Sequence, residues 1–478
     1  MMWEERIEKF TEFREDLHAS YPYRADALSE LIDSIAANTT ARSAVELSLT
    51  PPFRRGYSSV HDAVANVLRP SASVVGAGVA AHQRRLIAGT LAAPNQRPFR
   101  LLAVDVTPAP RRFAPTLADR SIVHYPNPAP GNKPIVIGHQ YSVVAALPEK
   151  APGDAPWVVP LSCQRVASAE TGTAVGAQQM AALLQDEALP FGDELTVEVA
   201  DTAYSAVTYL HPMSAYANHL LIVRVSANRT FYHRPVTVPD GPGQAGHPLW
   251  YGTPFRLADT VTWGPPDDEA VTTLVTSRGR ELTITLHGWH DLLMRGKKGL
   301  PMHQCPFTLV RCCVTDAHGK RVFKRPLWLI IAGRRRAEIS LIQAYHSYRQ
   351  RYDVEHFFRF GKTHLLMDKY ETCVTEHEES WWELSCLAYV QLGLAAPLAI
   401  GVPKPWERNP RPDLLSALPG PARVQRDFSR IIRQFGTPAV APKPRGNSPG
   451  RRAGACPGHR PHRPVVFKGK KKTLPKAA

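Results

Sequence analysis

Cysteine is scarce in this chain and follows no pattern. Seven cysteines among 478 residues, irregularly spaced, exclude a disulfide framework and fit a reducing compartment. The one grouping that suggests zinc, His303, Cys305, Cys312 and Cys313, contains an adjacent cysteine pair with poor ligand spacing inside an apolar, strand-like run, so these read as buried free thiols. No basic-then-apolar leader opens the sequence, which argues against a signal peptide. Long hydrophobic runs are missing too. The longest, Leu387 to Val402, is interrupted by Gln391 and Pro397 and falls short of a bilayer span, so it reads as a buried helix and no membrane partner is expected. There is no glycine loop of the P-loop type to cradle a nucleoside triphosphate. Acidic residues are absent from 440 to 478, where eleven Lys or Arg occur.

The length allows two or three domains, each with its own core. A net charge of +16 and a pI near 9.6 point to a polyanionic partner. About two-thirds of that excess lies in the Pro/Gly/Arg-rich tail at 440–478, which includes Lys470, Lys471 and Lys472 and reads as disordered. Such a tail either raises nonspecific DNA affinity through counterion release or serves as a solubilising end. Without it the remainder is only about +5, so DNA contacts on the folded part should be localised.

From Trp3 to about Leu68 apolar residues recur at helical steps (Ile7, Phe10, Phe13, Leu17, then Leu28, Leu31, Ile32, Ile35), which predicts a helical domain over 1–70. An Ala/Gly-rich helical pattern follows between about 75 and 100. The run Arg100 to Thr107 then reads as a buried strand with one acid, Asp105, inside it. A lone Asp in a buried strand is costly unless paired or bound to metal. Further strands are predicted over Lys133–Leu147 and Trp157–Val166, a helix over 174–188, and a strand from Leu195 that ends in Asp201. Glu198 and Asp193 are rival acids there, but Glu198 faces the opposite side by the period of two and Asp193 precedes the strand.

The 154 positions from Asp201 to Glu355 hold strand-like runs at 220–225, 271–275, 281–286, 307–314 and 327–331. Pro235 to Pro266 reads mostly as loop. The segment from Tyr348 to Lys362 then places four residues with phosphate-handling chemistry at helical spacing. At about 100° per residue, Tyr348, Arg351, Glu355 and Lys362 fall at about 0°, 300°, 340° and 320°, one narrow face. A carboxylate beside two cations and a phenol suits a site that holds a divalent metal against a phosphodiester. A solvated face with i,i+4 Arg-Glu pairing is the plainer alternative. The interleaved Phe357, Phe358 and Phe360 favour a helix packed into a core.

This Tyr-x2-Arg-x3-Glu-x6-Lys pattern resembles the signature that closes the catalytic domain of one group of bacterial insertion-sequence transposases in the DDE superfamily. The resemblance, from about residue 90 to 400, implies an α/β fold: a ribonuclease H-like mixed sheet with flanking helices, interrupted by a mainly β insertion, plus an N-terminal helical domain. The implied segments are a DNA-binding domain at 1–70, core at 90–215, insertion at 216–335, and core with the catalytic helix at 336–402. A helical segment at 403–439 and the basic tail follow. It implies Asp105, Asp201 and Glu355 as catalytic and metal-holding acids for two Mg2+ ions, with Mn2+ a substitute, and Tyr348, Arg351 and Lys362 on DNA. Arg42, Arg54 and Arg55 become candidates for backbone contacts, and Trp250, Trp263 or Trp289 for stacking on an extruded base. The implied activity is cleavage at terminal inverted repeats and joining to target DNA by a homo-oligomer, a dimer on paired ends, in the bacterial cytoplasm at the nucleoid. A catalytically inactive DNA-binding derivative and a ribonuclease H-like nuclease without strand transfer are the alternatives.

Overall fold

The computed structural model describes residues 3–67, 76–126, 133–151, 153–235, 249–276, 279–401, 417–444, 452–456 and 458–467. Lys470 to Lys472 and the middle of the Pro235–Pro266 loop lie outside them. The fold is mixed α/β, with a large mixed sheet, flanking helices and an N-terminal helical region. The chain divides into two compact units: the first comprises 1–92, 106–175 and 355–478, the second 93–105 and 176–354.

In the first unit, helices α1 (Trp3–Ser20), α2 (Ala25–Ala36), α3 (Ser58–Val64) and α4 (Gly76–Gly89) are joined by helices from the far end of the chain. Those are α9 (Thr375–Gly401) and α10 (Pro421–Phe435). α9 contains the long apolar run, and it is long and apolar enough to cross a membrane by composition alone. Here it is a core helix: α1, α2, α10 and a strand all pack on it, and Trp381, Trp382, Leu384 and Leu387 are fully buried. Its one fully buried acid, Glu378, accepts from Arg111 Nε at 2.9 Å and from the Tyr141 hydroxyl at 3.0 Å, with His139 Nδ1 at 3.1 Å. Burial works to raise the Glu378 pKa, but the His139 hydrogen bond and the Arg111 charge outweigh it and hold the carboxyl below its usual value.

The strands of this unit are β2 (Ser121–His124), β3 (Ile135–Ala146) and β4 (Val159–Val166), with β3 antiparallel to both others. β1 (Arg100–Pro110) runs from the second unit into the first. Gly138 of β3 lies so close to β1 that an added Cβ would come within 2.1 Å of the Ala109 carbonyl oxygen. The short β2 has no counterpart among the sequence expectations. Part of the basic tail lies beside it: Val466 donates its N–H to Arg120 O at 2.7 Å, and Arg463 donates to Pro115 O at 2.7 Å.

In the second unit, β1 pairs in parallel with β5 (Thr196–Ala200), and β5 in parallel with β6 (His219–Val225). Helix α6 (Val207–Met213) makes the crossover that parallel neighbours require. β12 (Leu327–Ala332), β11 (Phe307–Asp316), β10 (Glu281–Leu292) and β9 (Asp268–Val275) then add antiparallel, in that order, onto β6. The strands of the predicted insertion therefore extend the sheet that carries the two aspartates. A two-stranded ribbon, β7 (Thr230–Tyr232) with β8 (Pro254–Arg256), accompanies it. Helix α5 (Gly172–Leu184) passes from the first unit into the second. Its approach to β1 is close at Gly176, where a Cβ would meet Val104 at 2.9 Å and Tyr204 at 3.1 Å.

Candidate active site

The register of β1 and β5 decides where the two aspartates stand. Leu101 is level with Val197 and Ala103 with Val199. Asp105 and Asp201 each follow by two residues the last of these pairs, Ala103 with Val199, and the period of two assigns both to the face that Ala103 and Val199 share. Asp105 lies inside β1 and Asp201 immediately beyond β5; both are half-buried. Asp201 also caps the short 3-10 turn Thr202–Ser205, its side chain accepting from the Ala203 N–H at 2.8 Å.

Glu198 lies on the other face, level with Leu102. It is fully buried, accepts from the Tyr209 hydroxyl, and has His219 Nε2 3.1 Å from its Oε2. Asp193 precedes β5.

The Tyr348–Lys362 stretch is not one uninterrupted helix, which corrects the single narrow face expected from the wheel. α7 (Leu341–Gln350) opens with a capping box, Ser340 with Gln343, and ends at Arg351; α8 (Tyr352–His364) follows at once. At the junction the Arg351 N–H bonds to Tyr348 O at 3.2 Å and the Val354 N–H to Arg351 O at 3.0 Å. The winding tightens there to three-residue bonds, so a uniform 100° step does not carry through.

Within the second unit, Arg351 reaches Asp105: its guanidinium donates to Oδ2 at 2.8 Å. The same guanidinium lies over the Tyr348 ring, 5.8 Å from its centroid. Burial raises the Tyr348 pKa; Arg351 and Arg224 pull it down, and the Asp201 carboxylate pushes it up. The phenol thus lies within electrostatic reach of both cations and of Asp201. Arg224 escaped the sequence reading, although its signal was there: it is the single charged residue in the apolar strand from Leu220 to Val225.

Glu355 and Lys362 belong to the first unit, seven residues apart on α8, both half-buried. The Lys362 ammonium donates to Thr107 Oγ1 at 2.7 Å and to Pro108 O at 2.6 Å. Burial pushes its pKa down to about 8. Its expected place on DNA meets an ammonium that already donates two bonds to β1 just past Asp105.

Among the described residues, no three of His, Cys, Asp and Glu are gathered closely enough to hold a metal ion. The donor chemistry of Asp105 and Asp201, two carboxylates carried on neighbouring parallel strands, nonetheless fits a hard divalent cation. What balances Asp105 in this structure is Arg351.

Other expected contacts are placed as follows. Arg54 and Arg55 pair with the buried Glu30, and both donate to backbone carbonyls near 440. Arg42 is exposed. Trp289 is buried, and Trp263 packs against Phe255, Trp289 and Trp328. Trp250 is 41% exposed and stacks on His303 at 4.2 Å. All seven cysteines are free.

The profile of a family described as DDE superfamily endonuclease matches residues 12–292. That span includes Asp105 and Asp201 and ends before the Tyr348–Lys362 stretch. No curated protein matches the chain.

Proposed function

The chain belongs to the DDE superfamily endonucleases, and we propose that it is the transposase of a bacterial insertion sequence, cutting the ends of its element and joining them to target DNA. The observation that carries this reading is that two parallel neighbours carry the two acids, Asp105 inside β1 and Asp201 just past β5, each two residues beyond the last paired position, Ala103 with Val199. Together with Glu355 on α8 they are the residues that would hold magnesium, or manganese in its place. When bound, the metal supplies charge neutralisation and activation of the attacking water or DNA 3′-hydroxyl, and stabilises the leaving oxygen.

The chain's own residues do the positioning. Asp201 is oriented by its bond from the Ala203 N–H. Arg351 and Tyr348 present a cation and a phenol beside the aspartates, suited to phosphate oxygens. Lys362 ties α8 to the stretch of β1 that follows Asp105. The partner is DNA, as terminal inverted repeats and as target, and the active species is a homo-oligomer that pairs two ends.

The test is a donor DNA carrying the element's two ends, incubated with target plasmid and Mg2+, with the products separated into cut and joined species. Joined product, abolished by a chelator, is the expected result. Cutting without joining would make the protein a nuclease on the same fold. Binding without cutting would make it a DNA-binding derivative.

A further inference from the structure

The carboxylate that should hold a cation already holds one. Arg351 donates to Asp105 Oδ2 at 2.8 Å, with only 15% and 17% of the two side chains exposed. A guanidinium at that distance balances the charge and occupies an oxygen that a divalent ion requires.

We propose that Arg351 is a latch on Asp105: it competes with the divalent cation for the carboxylate and lets go when a DNA phosphate captures the guanidinium, so that DNA and metal bind cooperatively. The proposal rests on reading Asp105 as a metal ligand. Three observations support it. Arg351 stands at the break between α7 and α8, where the winding changes. The planar guanidinium matches carboxylate and phosphate equally well, so it can exchange one for the other without losing its hydrogen bonds. Arg351 already lies over the Tyr348 ring, 5.8 Å from its centroid, and Arg224 acts on the same phenol, so a phosphate arriving there meets two cations, one of which is the partner of Asp105. All of these groups lie in the second unit.

Linkage fixes the signature. If DNA removes the competitor, it tightens metal binding by some factor, and metal must tighten DNA binding by the same factor. A factor of about 5 or more is expected from the usual size of such couplings.

The experiment titrates Mn2+ into wild type, Arg351→Gln, Arg351→Lys and Asp105→Asn, reading free ion by electron paramagnetic resonance. Each titration is run with and without a short DNA duplex and corrected for Mn2+ bound by the duplex alone. Wild type should bind Mn2+ at least about 5-fold tighter with the duplex. Arg351→Gln should bind tightly without it and gain little on its addition. Arg351→Lys, which keeps the charge but lacks the fork, should fall between the two and stands in if the glutamine variant folds poorly. Binding by folded Arg351→Gln that equals or falls below wild type without the duplex overturns the latch. If Asp105→Asn binds Mn2+ as well as wild type, Asp105 is no ligand, and the reading of the site falls together with the latch.

Discussion

Glu198 and Asp201 are three residues apart on one stretch of chain, yet they serve opposite faces of the sheet. Glu198 points into a closed region, fully buried against Tyr209 and His219. Asp201 lies past the end of the same strand and, like Asp105 on the neighbouring strand, is only half-buried. The first region encloses the acid between the Tyr209 hydroxyl, which donates to it, and the His219 ring, so the acid holds structure. The second leaves carboxylate oxygens that can be exchanged between partners, so it is where chemistry can occur. The same contrast recurs in the first unit. There Glu378 is enclosed by Arg111, His139 and Tyr141, whereas Glu355 is only half-buried.

The contrast would be sharpened most by removing charge from the open acids alone. Asp201→Asn keeps the side-chain oxygen that caps Ala203, and Glu355→Gln keeps its shape. Each should raise the cleavage barrier by roughly 4 kcal/mol or more, several orders of magnitude in rate. Melting temperature and DNA affinity should stay close to wild type. Near-normal cleavage by either variant would take that residue out of the site.

The closed acids should behave the other way round. Glu198→Ala leaves Tyr209 and His219 without their buried partner and should cost about 3–5 kcal/mol of stability in a denaturant titration. Cleavage per folded molecule should be nearly unchanged. A stable but inactive Glu198→Ala protein would break the distinction between the two faces.

A smaller effect concerns acid. The His139 hydrogen bond and the Arg111 charge hold the folded Glu378 carboxyl below the ordinary glutamate value, so its stabilisation is fully present above that ordinary value and is lost as pH falls through the folded one. Glu378→Gln should be less stable at neutral pH and lose less on acidification. Parallel curves of melting temperature against pH for variant and wild type would show that the Arg111 network contributes no pH dependence.

The smallest effect lies at alkaline pH. Burial pushes the Lys362 pKa down to about 8 in the folded protein, against an ordinary lysine value of 10.5. Between those values the unfolded chain binds more protons, so this group makes stability rise with pH across that window. Lys362→Met should flatten the rise, as followed by melting temperature at several pH values. An unchanged slope would mean that the ammonium is better solvated than its contacts with Thr107 and Pro108 imply.

Much of this was legible in the amino-acid order because it depends on local pattern. Apolar runs marked β1, β5, β6 and β9 to β12. The period of two separated Asp201 from Glu198, and an acid inside an apolar strand singled out Asp105 for its desolvation cost. What could not be read along the chain was which distant groups would meet. Arg351 bonds to an aspartate 246 positions away, and Arg54 and Arg55 are engaged by Glu30. The four-residue β2 is too short to show a period. The wheel angles assumed one uninterrupted helix, whereas α7 ends at Gln350 and α8 begins at Tyr352 with three-residue bonds between them. Side-chain periodicity is a property of neighbouring backbone dihedrals and is written residue by residue. The partner of a charge depends on which strands lie side by side, and only the folded chain sets the strand of Asp105 beside the strand that leads to Asp201 and brings Asp105 within reach of Arg351.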